Sequence, residues 1–286
     1  MKIGFIGLGI MGESMCENIV KKHDDTVYAF DVIAEKTAKL AALGAAPCAD
    51  AAALAAQSDV IITMVPKSEH SRAVCHQILP LLGPGKIYID MSTIDPSVSV
   101  ELSQCVKSTG AQFADAPVVK SKPAAVSGTL GIYVGCDADL FEKIRPILAY
   151  MGSNIIRMGD NGMGLVMKIC HNTLVAEIQD GVNETLGLAQ KCGISVDDFK
   201  TAISYGGGQN FYLDGQAEKI RDRDWSTAFS LENMHKDLGI CEAIAAQKGL
   251  AMPGMKNAKA VYDKGMERGI GKEDFRATYK VVNDEV

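Results

Sequence analysis

The feature that most constrains the fold is a glycine-rich loop near the start of the sequence. It reads Gly7-Leu8-Gly9-Ile10-Met11-Gly12 and joins a predicted strand, Lys2 to Ile6, to a predicted helix, Glu13 to Lys22. In this context the first glycine allows a tight turn, the second lets the backbone approach a pyrophosphate, and the third permits close helix–strand packing. The helix N-terminus adds amide donors and a positive dipole. The pattern predicts that residues 7–12 bind a dinucleotide.

The second predicted strand, Thr26 to Phe30, ends at an acidic residue, Asp31. A carboxylate about 20 residues beyond such a glycine loop accepts hydrogen bonds from the adenosine ribose hydroxyls of a dinucleotide. It also repels a 2′-phosphate, so NAD is favoured over NADP. An aspartate at a strand end can instead cap a helix or turn, and the sequence alone leaves that alternative open.

Strand and helix patterns then alternate as far as Met158. This alternation is typical of a doubly wound parallel sheet, an α/β fold of the Rossmann type. Ligands of such sheets bind beyond the carboxyl ends of the strands, which places Val65, Pro66 and Thr93 near the glycine loop. The predicted helices are Ala34–Leu43, Ala49–Gln57, Pro96–Thr109 and Ala138–Met151, and the predicted strands are Asp59–Val65, Lys86–Asp90, Gln112–Ala114, Leu130–Val134 and Ile155–Met158.

A turn-rich segment, Gly159 to Gly162, ends the alternating pattern. We therefore expect an NAD-binding domain over residues 1–161 and an all-α domain, for substrate binding and oligomerisation, over residues 162–286. The first predicted helix of the second domain has about 27 residues and a length of roughly 40 Å, which favours a long interdomain helix. The predicted helices are Leu165–Lys191, Val196–Ile203, Tyr212–Ile220, Leu231–Lys248, Ala251–Gly265 and Lys272–Asn283.

The long helix carries two polar residues in an otherwise apolar run. Lys168 and Asn172 stand four residues apart and therefore share one helix face. Burial of an unpaired charge is unfavourable, so a lysine here needs a reason, although the helix pattern alone leaves open that Lys168 only extends to solvent. In hydride transfer a lysine would supply both the proton and the positive charge that a developing alkoxide requires.

Composition excludes several classes of function. The net charge is −6 and no Lys/Arg-rich run occurs, so we expect no nucleic-acid or membrane partner. No apolar run reaches ~18 residues, and the N-terminus has a strand pattern rather than the layout of a signal peptide. The eight cysteines include no Cys-x-x-Cys pair. They fit reduced thiols in a cytoplasmic protein, with no metal site.

Four segments occur in an order that covers nearly the whole chain. The first is the glycine loop, and the second combines Asp115-Ala116-Pro117-Val118 with Ser127-Gly128-Thr129-Leu130. The third is Gly159-x-x-Gly162-x-Gly164-x-x-x-Lys168-x-x-x-Asn172, and the fourth is His235-Lys236-Asp237-Leu238-Gly239. Together they resemble the β-hydroxyacid dehydrogenase family, whose best-known member is 3-hydroxyisobutyrate dehydrogenase. In that family the second segment binds the substrate and the third is the catalytic signature.

The resemblance implies an NAD-dependent oxidoreductase that interconverts a short-chain 3-hydroxy acid and its aldehyde. Lys168 would be the general acid/base and Asn172 would hold the substrate. Lys236 would come from the helical domain to the nicotinamide end of NAD and the substrate's anion. The family's relatives are dimers or tetramers, so a homo-oligomer is expected. The complete predicted cofactor site is Gly7, Leu8, Gly9, Ile10, Met11, Gly12, Asp31, Val65, Pro66, Thr93 and Lys236.

The sequence departs from the family in the substrate-binding segment. Many members have Ser-Gly-Gly after Asp-Ala-Pro-Val, whereas this chain has Val119, Lys120 and Ser121, followed by Lys122. A basic residue here resembles the branch that contains sulfolactaldehyde reductase, although that branch has a glycine and an arginine at positions 119 and 120. We therefore hypothesise a strongly anionic head group, such as a sulfonate, a phosphonate or a second carboxylate. The alternative is that Lys120 and Lys122 are solvent-facing loop charges.

Two other functions stay open at the level of sequence. The run Lys168-x-x-His171-Asn172 also resembles 6-phosphogluconate dehydrogenases, which are oxidative decarboxylases and usually have a longer C-terminal region. His171 and Thr173 are therefore predicted as further substrate contacts, although a lone histidine on a helix is often structural. The third possibility is a cofactor-binding protein without catalysis, against which the retention of both Lys168 and Asn172 argues.

Overall fold

Nine strands form a single sheet in the first part of the chain. The structure is a computed structural model that describes residues 1–286, and it divides into two units, Met1–Lys168 and Ile169–Val286. The strand order is β3-β2-β1-β4-β5-β6-β8-β7, and β9 pairs with β8. The strands are β1 Ile3–Ile6, β2 Val27–Phe30, β3 Ala46–Pro47, β4 Val60–Thr63, β5 Ile87–Asp90, β6 Gln112–Asp115, β7 Val118–Val119, β8 Leu130–Gly135 and β9 Gly152–Gly159.

Helices cover both faces of this sheet. Successive strand residues point to opposite faces, so Phe5 and Ile62 belong to one buried cluster while Ile6 and Ile61 belong to the other. Both clusters are apolar, which explains why the central strands read as continuous apolar runs. The helices of this unit are α1 Gly12–Lys22, α2 Ala34–Ala41, α3 Ala51–Gln57, α4 Ser68–Ile78, α5 Pro96–Ser108, α6 Lys122–Ser127, α7 Ala138–Leu148 and the first residues of α8 Met163–Lys191.

The predicted parallel sheet is confirmed, with one addition. Strands β1 to β6 are parallel to their neighbours, but β8 runs antiparallel to both β6 and β7. Asp115 pairs with Gly135 and Val118 with Ile132 in one continuous register, so β7 extends β6 and the chain returns along both as β8. This antiparallel edge brings Val119 opposite Gly131.

Two helices of the first unit have no counterpart in the sequence prediction. The buried stripe of α4 consists of Ser71, Cys75 and Ile78, and the two small residues conceal its helical periodicity. Helix α6 has six residues and only Ala125 of it is buried, so it carries no apolar period to detect. The segment that begins at Lys122 is therefore a short helix, which was not predicted from the sequence.

The second unit is all-helical, as predicted. Beyond the continuation of α8 it contains α9 Val196–Ile203, α10 Phe211–Arg221, α11 Leu231–Lys248, α12 Pro253–Glu267 and α13 Thr278–Val282. Its two apolar clusters are centred on Leu231 and Tyr262, and on Leu186 and Tyr212. None of the helices in the structure combines the length and apolarity that crossing a bilayer requires.

The predicted helix Lys272–Asn283 is wrong in its first half. A 3-10 turn at Phe275–Ala277 precedes α13 because the buried Asp274 side chain accepts a hydrogen bond from the backbone N–H of Arg276. The Arg276 guanidinium is also buried, where it forms an ion pair with Asp274 at 2.8 Å and donates to the carbonyl oxygens of Asp224 and Ser226. These contacts fix the backbone in a non-helical path.

Candidate active site

A glycine stands at each of the three positions of the loop for a different structural reason. Gly7 has φ +96°, and a Cβ on it would lie 2.3 Å from the carbonyl oxygen of Met64. A Cβ on Gly12 would lie 2.0 Å from the carbonyl oxygen of Gly7, so packing within the chain requires both glycines. A Cβ on Gly9, by contrast, would meet nothing within 4 Å. The open space over Gly9 is room for a ligand that approaches the backbone closely.

The start of α1 supplies the donors that a pyrophosphate needs. Met11 occupies the N-cap position without a side-chain capping hydrogen bond. The Glu13 N–H donates to the Gly9 carbonyl oxygen, and no side-chain cap takes up the other amides of the first turn, which suit an anion. Leu8 is fully buried, whereas Ile10 is 56% exposed on the rim of the loop. The residues present therefore fit the pyrophosphate of a dinucleotide.

Asp31 lies at the carboxyl end of β2, directly beside the glycine loop. Its Oδ2 accepts a hydrogen bond from the backbone N–H of Leu8 at 2.6 Å, and its Oδ1 accepts from the N–H of Ile33 at 2.9 Å. Each carboxylate oxygen can accept further hydrogen bonds, and the side chain is half-buried. Asp31 thus holds the loop in place and still offers acceptors for ribose hydroxyls. The exposed Val32 follows it, so no cation stands next in the chain to attract a 2′-phosphate.

The carboxyl ends of β4 and β5 are tied together by a buried carboxylate. Asp90 Oδ1 accepts hydrogen bonds from the Thr63 hydroxyl at 2.9 Å and the Ser92 N–H at 3.0 Å, and the Ser92 hydroxyl accepts from the N–H of Val65 at 2.9 Å. Burial raises the pKa of the Asp90 carboxyl above its usual range. The network fixes the backbone at Val65, beside the exposed Pro66 and the half-buried Thr93. Sequence reasoning missed Asp90, whose only signal was an acidic residue at the end of an apolar strand.

Lys120 has an unusual backbone conformation for a lysine. Its φ is +75°, in the left-handed region that favours glycine, and its Nζ donates to the Thr129 carbonyl oxygen at 2.8 Å. This bond brings together the two halves of the segment that sequence analysis assigned to substrate binding. Val119 is buried in β7, and Ser121 is the half-buried N-cap residue of α6.

Lys168 and Asn172 are both buried on α8, with 7% and 5% of their surfaces accessible. Asn172 Nδ2 donates to Asp237 Oδ2 on α11 at 2.6 Å, and Asp237 Oδ1 lies 3.3 Å from Lys236 Nζ. The structure thus brings Asn172 and Lys236 together on either side of one carboxylate. Asp237, 1% exposed, orients the Asn172 amide. Asp237 was not predicted as a site residue, although the Lys-Asp-Leu segment was a signal for it.

The remaining predicted contacts lie on other faces of α8. Thr173 is buried, and its hydroxyl contacts the Cys241 thiol on α11. At about 100° per residue, Thr173 points roughly 140° away from Lys168 around the helix. His171 is half-buried and lies on a face adjacent to that of Lys168.

The sheet order, the glycine cradle and the Asp31 carboxylate define a Rossmann-type oxidoreductase that uses a nicotinamide dinucleotide. The sequence model for the NAD-binding domain of 6-phosphogluconate dehydrogenase matches residues 2–159, and that for the NAD-binding region of NADP-dependent 3-hydroxyisobutyrate dehydrogenase matches residues 162–282. The chain belongs to the β-hydroxyacid dehydrogenase family. It is an NAD(P)-dependent enzyme that acts on a CH–OH group.

Relatives of several specificities align over nearly the whole chain. The chain is 33% identical over 285 residues to 2-(hydroxymethyl)glutarate dehydrogenase of Eubacterium barkeri, covering 98% of this chain and 94% of the relative. It is 31% identical over 284 residues to 3-sulfolactaldehyde reductase of Escherichia coli, covering 98% and 95%. The structure of Mycobacterium tuberculosis 3-hydroxyisobutyrate dehydrogenase with L-serine superimposes with a TM-score of 0.90, at 30% identity and 98% coverage of both chains.

Proposed function

We propose that the protein interconverts a short 3-hydroxy acid with a strongly anionic head group and its aldehyde, with NAD as the preferred cofactor. Lys168 is the general acid/base, and Asn172 holds the substrate. The observation that carries the proposal is the buried pair on α8, in which Asn172 is oriented by Asp237. A lysine that is 93% removed from solvent on a catalytic-signature helix has no surface role to perform.

The chemistry assigned to Lys168 follows from charge. When bound, the nicotinamide accepts or donates the hydride. During reduction of an aldehyde, negative charge develops on the carbonyl oxygen, and a lysine ammonium next to that oxygen stabilises the charge and then delivers a proton. During oxidation, the neutral amine removes the proton from the hydroxyl. Asn172, fixed by Asp237, orients the substrate so that the reacting oxygen faces Lys168.

Lys120 supports the assignment of an anionic head group. Its ammonium is held at the Thr129 carbonyl, where the two halves of the substrate-binding segment meet, and its backbone adopts a glycine-like conformation to reach that place. Strain of this kind persists where a function selects it. One relative is named for a compound with two carboxylates, hydroxymethylglutarate, and another for a compound with a sulfonate, sulfolactaldehyde. These observations favour a substrate with a strongly anionic head group, such as a sulfonate or a second carboxylate, over a simple hydroxy acid such as 3-hydroxyisobutyrate.

The test is a screen of NADH oxidation with small aldehydes that bear carboxylate, sulfonate or phosphonate heads. The Lys120→Ala variant should raise the KM for the best substrate roughly 10- to 100-fold, since a charge-assisted hydrogen bond contributes about 1.5–3 kcal/mol. Its matched control is Lys122→Ala, which removes an exposed lysine two residues away and should leave the KM unchanged.

An unchanged KM for every anionic aldehyde in the Lys120→Ala variant would remove the head-group role. If oxidation of a hydroxy acid released CO₂, the enzyme would be an oxidative decarboxylase instead. The screen therefore separates head-group specificity, which rests on Lys120, from the reaction class, which rests on Lys168.

We further propose a homo-oligomer of two or four chains in the cytoplasm, with domains at residues 1–161 and 162–286. Large apolar side chains are exposed on the second unit, with Tyr205 at 82% and Phe211 at 88% accessibility, and a second copy of the chain would cover them. All eight cysteines are free thiols, which favours a reducing compartment.

A further inference from the structure

Asp115 is a buried carboxylate of the first unit that has no part in the proposed reaction. Asp115 ends β6 and has no accessible surface. Its Oδ1 accepts a hydrogen bond from the N–H of Gly162 at 2.7 Å, and its Oδ2 accepts from the N–H of Leu165 at 3.1 Å. Both oxygens are thus directed at the first turn of α8, where backbone amides and the helix dipole favour negative charge. The Asp115 carboxylate points at the helix that carries Lys168.

Glycines surround this carboxylate and leave no room for a side chain. A Cβ on Gly135 would lie 2.5 Å from Asp115 Oδ1, and a Cβ on Gly164 would lie 2.8 Å from Asp115 Oδ2. Gly162 itself has φ +91°, which permits the turn into the helix. Of the glycines in the catalytic signature, Gly164 is therefore required in part by the Asp115 carboxylate that lies against it, and Gly162 by its positive φ.

A second side chain ties the same helix start to the sheet. Asn161 Nδ2 donates to the carbonyl oxygen of Phe113 at 3.0 Å and to that of Gly135 at 2.9 Å. Asn161, just before α8, therefore donates to the strands, and Asp115, at the end of β6, accepts from the start of α8. This pair fixes the first turn of α8 relative to β6 and β8.

We infer that Asp115 is a positioning residue for Lys168, because its buried carboxylate, seated between Gly135 and Gly164, holds the first turn of α8 in place. Lys168 lies three residues beyond Leu165, less than one helical turn. A displacement of the first turn is therefore transmitted to Lys168, and a misplacement of about 1 Å can lower a rate 10²-fold. The inference rests on the proposed role of Lys168 as the general acid/base.

The first test is Asp115→Asn, which keeps the shape but replaces one acceptor oxygen by an amide that donates. That amide would face a backbone N–H at the helix start, so the first turn should shift. We expect kcat to fall at least 10-fold, while the KM and Kd for NADH stay within twofold of wild type. The matched control is Asp50→Asn, because Asp50 caps α3, a helix of the same unit without a proposed site residue, by accepting from the N–H of Ala53. Its kcat should not change.

The second test keeps the carboxylate and moves it. The three atoms nearest to a Cβ on Gly135 all belong to the Asp115 carboxylate, so Gly135→Ala displaces that group. We expect Gly135→Ala to lower kcat in the wild-type background and to have no further effect in an Asp115→Ala background. Additive losses in the double variant would show that Gly135 acts independently of Asp115 and would contradict the inference. This pair of variants also serves if Asp115→Asn fails to fold.

Hydrogen exchange and a Lys168→Ala control distinguish failure of the positioning role from failure of the proposed function. Asp115→Asn should increase amide exchange over residues 162–168 and leave α1 and its glycine loop protected. A kcat within twofold of wild type, or losses of NADH affinity as large as the loss of kcat, would overturn the positioning role. If Lys168→Ala retained turnover, the proposed function itself would be wrong. If Lys168→Ala were inactive and Asp115→Asn had wild-type kcat, only the positioning role would be wrong.

Discussion

At the scale of single residues, the glycine loop shows what sequence can and cannot predict. The spacing of Gly7, Gly9 and Gly12 predicted a dinucleotide loop, and the NAD(P) cofactor is confirmed. The spacing does not distinguish glycines required by packing from the one that leaves room for a ligand, because that difference depends on the Met64 and Gly7 carbonyl oxygens. Asp237 and Asp90 were missed for a similar reason, since each has one partner far away in the chain, Asn172 and Thr63 respectively.

We expect residues 31 and 32 to determine whether the protein prefers NAD or NADP. Asp31→Ala combined with Val32→Arg should lower the ratio of kcat/KM for NAD over NADP roughly 10- to 100-fold, because a 2′-phosphate then gains a charge-assisted partner and loses a repelling carboxylate. Steady-state kinetics with both cofactors measure this ratio. Glu35→Ala, which removes an exposed carboxylate four residues away, is the control and should leave it unchanged. An unaltered ratio in the double variant would exclude Asp31 from the ribose site.

At the scale of elements, helices and strands with a clear apolar period were predicted well. The core strands and α11 lie within one or two residues of the predicted bounds, whereas α4 and α6 were missed because their buried faces hold small or few residues. The hydrogen bonds from the start of α8 to Asp115 were also beyond prediction. They join residues about 50 positions apart, and nothing local in Asp-Ala-Pro-Val indicates which way the carboxylate points.

The junction of β6 and α8 should have a measurable pH signature. Burial raises the pKa of Asp115 from 3.8 to about 6, while the amides of Gly162 and Leu165 lower it and the negative charge of Asp90 raises it slightly. A raised pKa in the folded state means that protonation favours folding. The Asp115 contribution to stability is therefore fully present below pH ~4 and is lost as pH rises through ~6, by about 1.4 kcal/mol per pH unit and about 3 kcal/mol in total.

Urea unfolding of wild type and Asp115→Asn at a series of pH values tests this expectation. The free energy of unfolding of wild type, minus that of the variant, should fall between pH 4 and pH 6 and level off above. The subtraction removes the contributions to the free energy of unfolding from groups that titrate equally in both proteins. A difference independent of pH would mean that Asp115 ionises as it does in the unfolded chain.

At the scale of the whole molecule, the family and the reaction class follow from both sequence and structure. The order of the four segments predicted the family, which the matches to residues 2–159 and 162–282 confirm. The substrate is less determined, because relatives near 30% identity act on carboxylates, a sulfonate and a simple hydroxy acid. One fold hosts many specificities, because the substrate is selected by a few residues of the site and not by the fold.

The most direct test of the account is Lys168→Ala, assayed with the aldehyde that wild type reduces best. General acid/base catalysis contributes typically 10²- to 10⁴-fold, so kcat should fall by roughly that factor in both directions of the reaction. NADH binding, followed by the fluorescence of the nicotinamide, should stay within twofold of wild type, because the cradle of Gly9 and Asp31 is intact. A kcat near that of wild type in this variant would contradict the central claim that Lys168 transfers the proton.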